Sequence, residues 1–284
     1  MIEAFKQAVL RKDDLRFEDV IRFSEQFIPE EYASRPWAYF RQRDEQGKEK
    51  DDRGTRPLTE DEAAMCYLAA YARLHTGKIH LAIDEYRRNQ VFPSRINIVD
   101  WGCGQGLATF VLTDYLEKLG IHVEIENVLL IEPSRLALDY AELYLNKRFE
   151  GKGTAVRCVC AYFGGLTDGD LAMPGDAPVF HLFSNILDVE GIMMKDLTAR
   201  FRLFRQRDNV VLVASPKYVS GDIRIQTFVN YLNKASVIAH IEQSDKQANP
   251  RGNFTYNIWI GRLLPVPAER VLQLRFFPAR QFFA

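Results

Sequence analysis

The sequence predicts an α/β fold: a mostly parallel sheet, closed by an antiparallel C-terminal hairpin and preceded by a helical N-terminal extension. Three observations predict it. From Ile96 onward, short apolar runs of strand length alternate with helical stretches. Residues 1–90 contain no convincing strand. The last two strand-like runs, Ser236 to Gln243 and Phe254 to Leu263, are separated by a polar turn too short for a crossover helix. These observations divide the chain into a helical extension or cap, 1–92, and an α/β domain, 93–284.

In the extension, Leu15, Val20, Ile21 and Phe27 recur at helical spacing within Asp14 to Phe27. Thr59 and Glu62 have the spacing of a capping box. The helix they open, through about His75, places Ala64, Tyr67, Leu68 and Tyr71 on one apolar stripe. A further helix is expected over about Lys78 to Asn89. Between them, Arg41 to Arg56 is almost wholly charged or polar and reads as a solvated loop, either without a role or acting as a lid.

In the α/β part, strand 96–100 leads to helix 106–119, and strand 126–132 to helix 134–149. Strand 154–162 leads to a loop rich in Gly, Asp and Pro. Strand 178–184 precedes a helix near 189–206, and strand 209–215 a helix near 221–234. The tail ends QLRFFPARQFFA, whose phenylalanines suit docking onto a surface, including one offered by a partner protein.

Composition narrows the function classes. Hydrophobic residues make up 47% and charged residues 26% of 284, as in soluble globular chains. The net charge of −1 carries no global footprint for nucleic acid. No run approaches the ~18–20 apolar residues of a membrane span, and the first residues lack a signal peptide's apolar core. A cytoplasmic location is expected. Cys66, Cys103, Cys158 and Cys160 show neither disulfide-framework nor zinc-site spacing, so no metal is expected.

The most informative segment is INIVDWGCGQG, residues 96–106. A buried strand ends at Asp100, and Gly102, Gly104 and Gly106 turn the chain into a helix. Without Cβ atoms, such a turn lets backbone approach a ligand closely. The spacing is G-x-G-x-G rather than the dinucleotide G-x-G-x-x-G, and the next strand-end acid, Glu132, lies about 30 residues beyond Gly102 rather than about 20. A nicotinamide cofactor fits poorly.

The segment resembles the first motif of class I S-adenosylmethionine-dependent methyltransferases, an acidic residue, any residue, then G-x-G-x-G. Here these are Asp100, Trp101, Gly102, Cys103, Gly104, Gln105 and Gly106. The resemblance covers about 170 residues, since that family's Rossmann-like sheet also closes with an antiparallel hairpin. It implies S-adenosyl-L-methionine as cofactor, with the glycine turn under its amino-acid part and Glu132 on both ribose hydroxyls. A carboxylate accepts two such bonds at once. The cofactor contacts implied are Asp100, Gly102, Cys103, Gly104, Gly106, Glu132, Pro133 and Ser184. The family's usual acidic or amide residue after the third strand is missing, and Tyr162 or Phe163 would meet the adenine instead, unless both are core residues. The plainer readings are a bare strand-to-helix turn for the glycines and helix caps for Asp100 and Glu132. Cys103 reads most simply as a small packed residue.

The end of the fourth strand, HLFSNILD, is where this family places catalytic groups. Ser184, Asn185 and Asp188 emerge there and could orient an acceptor or, for Asp188, cap the next helix. The (D/N/S)-P-P-(Y/F) motif of amino-methylating enzymes is absent. His181 reads as a satisfied core histidine. Lys195, Arg200, Arg202, Arg205 and Arg207 read as a solvated helix face, and Lys217, Tyr218 and Arg224 lie nearer the expected substrate rim. Tyr67, Tyr71, His75 and His80 are expected over the cofactor mouth. The sequence reading is methyl transfer by in-line displacement to RNA, protein or a small molecule. The rival reading is a non-catalytic member of the fold that acts through binding.

Overall fold

The structure is a computed structural model that describes residues 1–41, 57–189, 191–216, 219–232, 236–245, 254–263 and 265. For 219–222, 236–245 and 254–256 only the backbone is described. The expected charged loop beyond Arg41, the pair Lys217-Tyr218 and the Phe-rich tail lie outside the described residues.

Among the described residues, α-helices come first: α1 (Ile2–Arg11), α2 (Phe17–Phe27), the short α3 (Glu30–Ala33) and the long α4 (Asp61–Asn89). Then strands and helices alternate as β1 (Arg95–Trp101), α5 (Leu107–Lys118), β2 (Glu124–Glu132), α6 (Arg135–Arg148) and β3 (Ala155–Cys160). The series continues with β4 (Val179–Ser184), α7 (Met194–Arg200), β5 (Asn209–Pro216), α8 (Val219–Tyr231), β6 (Ser236–Asp245) and β7 (Phe254–Leu263). The strands form one sheet in the order β3-β2-β1-β4-β5-β7-β6. The first five strands pair in parallel; β7 runs antiparallel between β5 and β6. The predicted α/β class, parallel sheet and closing hairpin are all present.

The central strands serve two cores, because successive side chains point to opposite faces. On β1, Ile96 and Ile98 join the core beneath the N-terminal helices, α5 and α6. Val99 and Trp101 join the other, beneath α7 and α8. On β4, Phe180 and Leu182 face the first core and Val179 and Phe183 the second. Such strands read as continuous apolar runs because both faces are covered. On β7, the Trp259 ring lies over Gly261, where an added Cβ would stand 2.1 Å from it.

The helical extension differs from its expected outline in three ways. First, α1 exists, burying Phe5 and Val9 at i, i+4 spacing. The alternating charges of that stretch mask so narrow a stripe. Second, the helices expected on either side of Thr76-Gly77 are one helix of 29 residues, roughly 43 Å long. The mid-helix glycine costs about 1 kcal/mol, but both halves are packed, through Ala63, Cys66 and Leu68 on one side and Ile79, Ile83 and Tyr86 on the other. Third, the Thr59/Glu62 capping box does not form: Glu60 is the N-cap, without a side-chain cap bond. Two tyrosines clip this end instead. Tyr39 donates to Glu60 at 2.5 Å and Tyr140 to Asp61 at 2.5 Å. In the α/β part, the helix expected from 189 begins only at Met194 and passes into a 3-10 turn, Phe201–Phe204. Among the described residues, no helix is long and apolar enough to cross a membrane.

Candidate functional site

Strand order reverses between β1 and β4, whose neighbours extend the sheet in opposite directions. Crevices form at such switch points, beyond the carboxyl ends of the strands. A cavity of about 400 Å³ opens there. Its walls bring together Gly102 and Gly104 after β1, Glu132 at the end of β2, Phe163 after β3, and Ser184 and Asn185 at the end of β4.

The glycine turn is held open by its backbone. Gly102, Gly104 and Gly106 have φ of +63°, +52° and +73°, the left-handed region that side chains with a Cβ disfavour. A Cβ on Gly102 would strike the Ile186 side chain at 2.4 Å, whereas one on Gly104 would meet nothing within 4 Å. Gly106 is the N-cap of α5. Gln105 anchors the turn to the extension, its amide donating to the Ala64 carbonyl at 3.0 Å. No sequence signal marked that bond.

Asp100 is 1% exposed. Its Oδ2 accepts from the Thr109 backbone N–H at 3.2 Å and the Thr109 hydroxyl at 2.8 Å, bracing the first turn of α5. Burial outweighs these bonds and pushes its pKa up to about 7, with neighbouring Glu132 adding to the rise. Oδ1, equally buried, has no hydrogen-bond partner among the described residues, and neither does Ser184 Oγ. Both residues line the cavity.

Glu132 accepts from the Gly104 N–H at 3.0 Å through Oε2 and from the Ser134 N–H at 3.0 Å through Oε1. Burial raises its pKa, and the two backbone bonds act against that rise. A carboxylate has about four lone-pair sites, so two remain for a ligand. Pro133 also lines the cavity. Ser134 is the N-cap of α6 and donates to the Leu58 carbonyl at 2.8 Å, drawing residues 57 and 58 into the wall.

Cys103 lies in the wall, and burial pushes its thiol pKa far up, which favours the protonated, unreactive form. Tyr162 is 66% exposed at the mouth. Phe163 packs edge-on against Trp101, with centroids 5.9 Å apart. Asp188 does not line the cavity; its Oδ1 accepts from Ser215 Oγ at 3.2 Å. It does not cap α7, whose N-cap is Met193. His181 is a core residue, accepting at Nδ1 from Trp101 Nε1 (3.1 Å) and donating from Nε2 to Asn209 Oδ1 (3.1 Å).

The extension contributes to the site. Tyr67 and His75 of α4 line the cavity, whereas Tyr71 packs on Tyr67 and His80 stacks on Tyr115 elsewhere. The Asn185 amide nitrogen lies 2.8 Å from His75 Nδ1 and 3.0 Å from Nε2. The Asn185 carbonyl oxygen accepts from Lys78 Nζ. Arg224, expected at a basic rim, donates instead to the carbonyls of Leu187 (2.8 Å) and Ile192 (3.0 Å), fastening the loop after β4.

No family model matches the chain, and no curated protein matches it. Solved structures that it is similar to are named as methyltransferases of differing kinds. The small RNA methyltransferase HEN1 shares 14% identity over 67% of this chain and 25% of that chain, with a TM-score of 0.46. Geranyl diphosphate C-methyltransferase from Streptomyces coelicolor A3(2) shares 13% over 87% of this chain and 97% of that chain (TM-score 0.42). Precorrin-6y C5,15-methyltransferase from Geobacter metallireducens GS-15 shares 14% over 64% and 86% (TM-score 0.41). Likeness at this level concerns the fold alone. The chain is an α/β protein with a Rossmann-like, mostly parallel sheet closed by an antiparallel hairpin.

Proposed function

We propose that this protein transfers a methyl group from S-adenosyl-L-methionine to an acceptor held at the end of β4. One observation carries the reading. A left-handed glycine turn and a strand-end glutamate meet on one cavity at the sheet's switch point, joined by the Gly104–Glu132 bond. The residues fit the cofactor by their chemistry. Glu132 retains acceptor capacity for a ribose diol, and the Gly104 backbone leaves open space beside it. Asp100 Oδ1 and Ser184 Oγ are buried polar atoms without partners among the described residues, an acceptor and a donor suited to an amino-acid zwitterion. Tyr162 and Phe163 offer aromatic surface for an adenine.

When bound, the cofactor supplies a methyl group already activated on a sulfonium. The protein's share is to orient the nucleophile, exclude water and place its proton. Ser184 and Asn185 stand where the acceptor would sit, and Ile186, Val189, Ile192 and Met193 give that end an apolar wall. In this reading residues 1–92 cap a site carried by 93–284. Asp188 acts from outside the wall, through the charge it presents to Lys78.

Calorimetry with S-adenosylmethionine, S-adenosylhomocysteine and NAD tests the reading. Micromolar binding of the first two, with no heat from NAD, is the expected result. Binding of NAD alone would overturn it. Cofactor binding with no methyl transfer to any fraction of a cell extract would favour the non-catalytic rival.

A further inference from the structure

The middle of α4 and the end of β4 bring a cluster of polar side chains to the cavity that neither the glycine turn nor Glu132 uses. Lys78 is 3% exposed. It reaches across 107 positions of sequence to the Asn185 carbonyl oxygen. Asn185 has φ of +56°, a left-handed conformation that asparagine tolerates better than most residues. Its N–H is fixed on the last rung of the sheet, to the Ala214 carbonyl at 2.9 Å. That conformation directs its side chain toward α4 and His75.

The direction of the amide follows from the donors around it. Lys78 is a donor, so the Asn185 oxygen must face it and the Asn185 NH₂ must face the His75 ring, 2.8 and 3.0 Å from its nitrogens. An NH₂ group seeks a lone pair. The imidazole satisfies it only when neutral, since an imidazolium has donors alone. Tyr67 OH lies 3.4 Å from Nε2. His75 is therefore held as the free base, partly buried, in the wall of the cavity beside Ser184 and Asn185.

We propose that His75 is the proton acceptor for a protic methyl acceptor, an O–H or N–H nucleophile seated against Asn185 at the apolar end of the cavity. The inference rests on the methyl-transfer reading. A lone pair of the nucleophile forms the new bond to the methyl carbon, and the carbon–sulfur bond breaks with its pair passing to sulfur. The nucleophile displaces the Asn185 NH₂ from the one lone pair of the neutral ring, and its proton passes to that nitrogen and then to water at the mouth. Carbon nucleophiles without a proton to lose have no use for this arrangement.

Burial and the Lys78 charge both hold the His75 pKa well below its ordinary value. Burial also pulls Lys78 down to about 7, against the opposing pull of Asp188. Lys78 acts on the ring directly and Tyr67 contacts it; Tyr71 on α4, Asp188 after β4 and Glu132 at the end of β2 act on Tyr67, and Asp188 acts also on Lys78. A base weakened in this way does not take the proton in a separate earlier step, so the proton leaves together with methyl transfer.

Two readouts test the assignment, both on the full chain with S-adenosylhomocysteine or S-adenosylmethionine bound. In the first, ¹⁵N spectra of the wild-type His75 ring are recorded from pH 6 to 8 while a phenol and an aniline are titrated in. A neutral ring whose nitrogen shifts move on saturation is expected, and Lys78→Met should raise the pH at which the ring protonates. A ring charged at pH 7, or one that neither probe perturbs, would overturn the proposal. In the second, single-turnover methyl transfer to phenols of graded acidity is compared in wild type and His75→Asn. A loss of roughly 10²–10³-fold, shrinking for the more acidic phenols, is expected. Equal rates in the two proteins would overturn it. His75→Asn should still bind S-adenosylhomocysteine, and loss of that binding in wild type would instead strike the methyl-transfer reading itself.

Discussion

Glu132 Oε2 accepts a hydrogen bond from the Gly104 N–H at 3.0 Å, tying the end of β2 to the turn that follows β1. The two residues stand 28 positions apart, one just past β1 and the other at the end of β2, its parallel neighbour. One bond thus fixes both the shape of the glycine turn and the orientation of the carboxylate beside it.

Removing that carboxylate should affect binding more than folding. Glu132→Ala should weaken S-adenosylhomocysteine binding by about 10²-fold, the scale of lost charge-assisted hydrogen bonds. Stability should fall by only ~1–3 kcal/mol, because two backbone N–H groups lose their acceptor. Calorimetry and urea unfolding separate the two effects. Unchanged affinity would remove Glu132 from the cofactor site.

Gly104→Val should abolish cofactor binding for two reasons. Its φ of +52° disfavours any Cβ, by roughly 1–2 kcal/mol, and the new side chain would occupy open cavity space. Gly151→Val is the control. It has φ of +72° and equally open surroundings, but lies outside the cavity, so it should carry the strain and keep the affinity.

Burial pushes Asp100 up to about 7 from an ordinary 3.8. Between those values the folded chain keeps a proton that the unfolded chain has released, so this group's stabilisation is lost as pH rises through the window. Asp100→Asn should flatten that part of the profile, and its gain over wild type should grow from pH 4 to pH 8. Melting temperatures across that range provide the measurement. Parallel profiles would show that Asp100 is not the group responsible.

His181 titrates in the opposite sense. Burial pulls it down to about 4 from 6.5, the Asn209 bond only partly opposing. The unfolded chain therefore takes up a proton first as pH falls, and stability is lost between about 6.5 and 4. His181→Phe should remove this loss. It should also cost ~2–4 kcal/mol at neutral pH, because the Trp101 N–H and the Asn209 carbonyl are left buried and unpaired.

The parts of the fold legible in the sequence are those whose signal is local. Val99 and Trp101 on one face of β1, and Ile96 and Ile98 on the other, read as an apolar run because both faces are covered. The glycine turn was legible because left-handed backbone leaves few choices of residue. The N-terminal helices were less so. The Thr59/Glu62 pattern marked a helix start correctly to within two residues, yet the cap does not form, since Tyr39 and Tyr140 already hold Glu60 and Asp61. Gly77 suggested a break that packing on both sides of it overrides.

By itself, the sequence determined the alternation of strands and helices from Ile96 onward, the parallel sheet with its closing hairpin, and the residue types gathered at 100–106 and 132. Periodicity and backbone restrictions act between near neighbours and are written into short stretches of chain. Only the tertiary structure decided that Asp100 braces Thr109, that Asp188 bonds Ser215 and does not line the cavity, and that His75 and Lys78 meet Asn185. Those contacts join side chains up to 110 positions apart. Their geometry depends on how α4 lies across the sheet, a consequence of packing the whole core that no local pattern encodes.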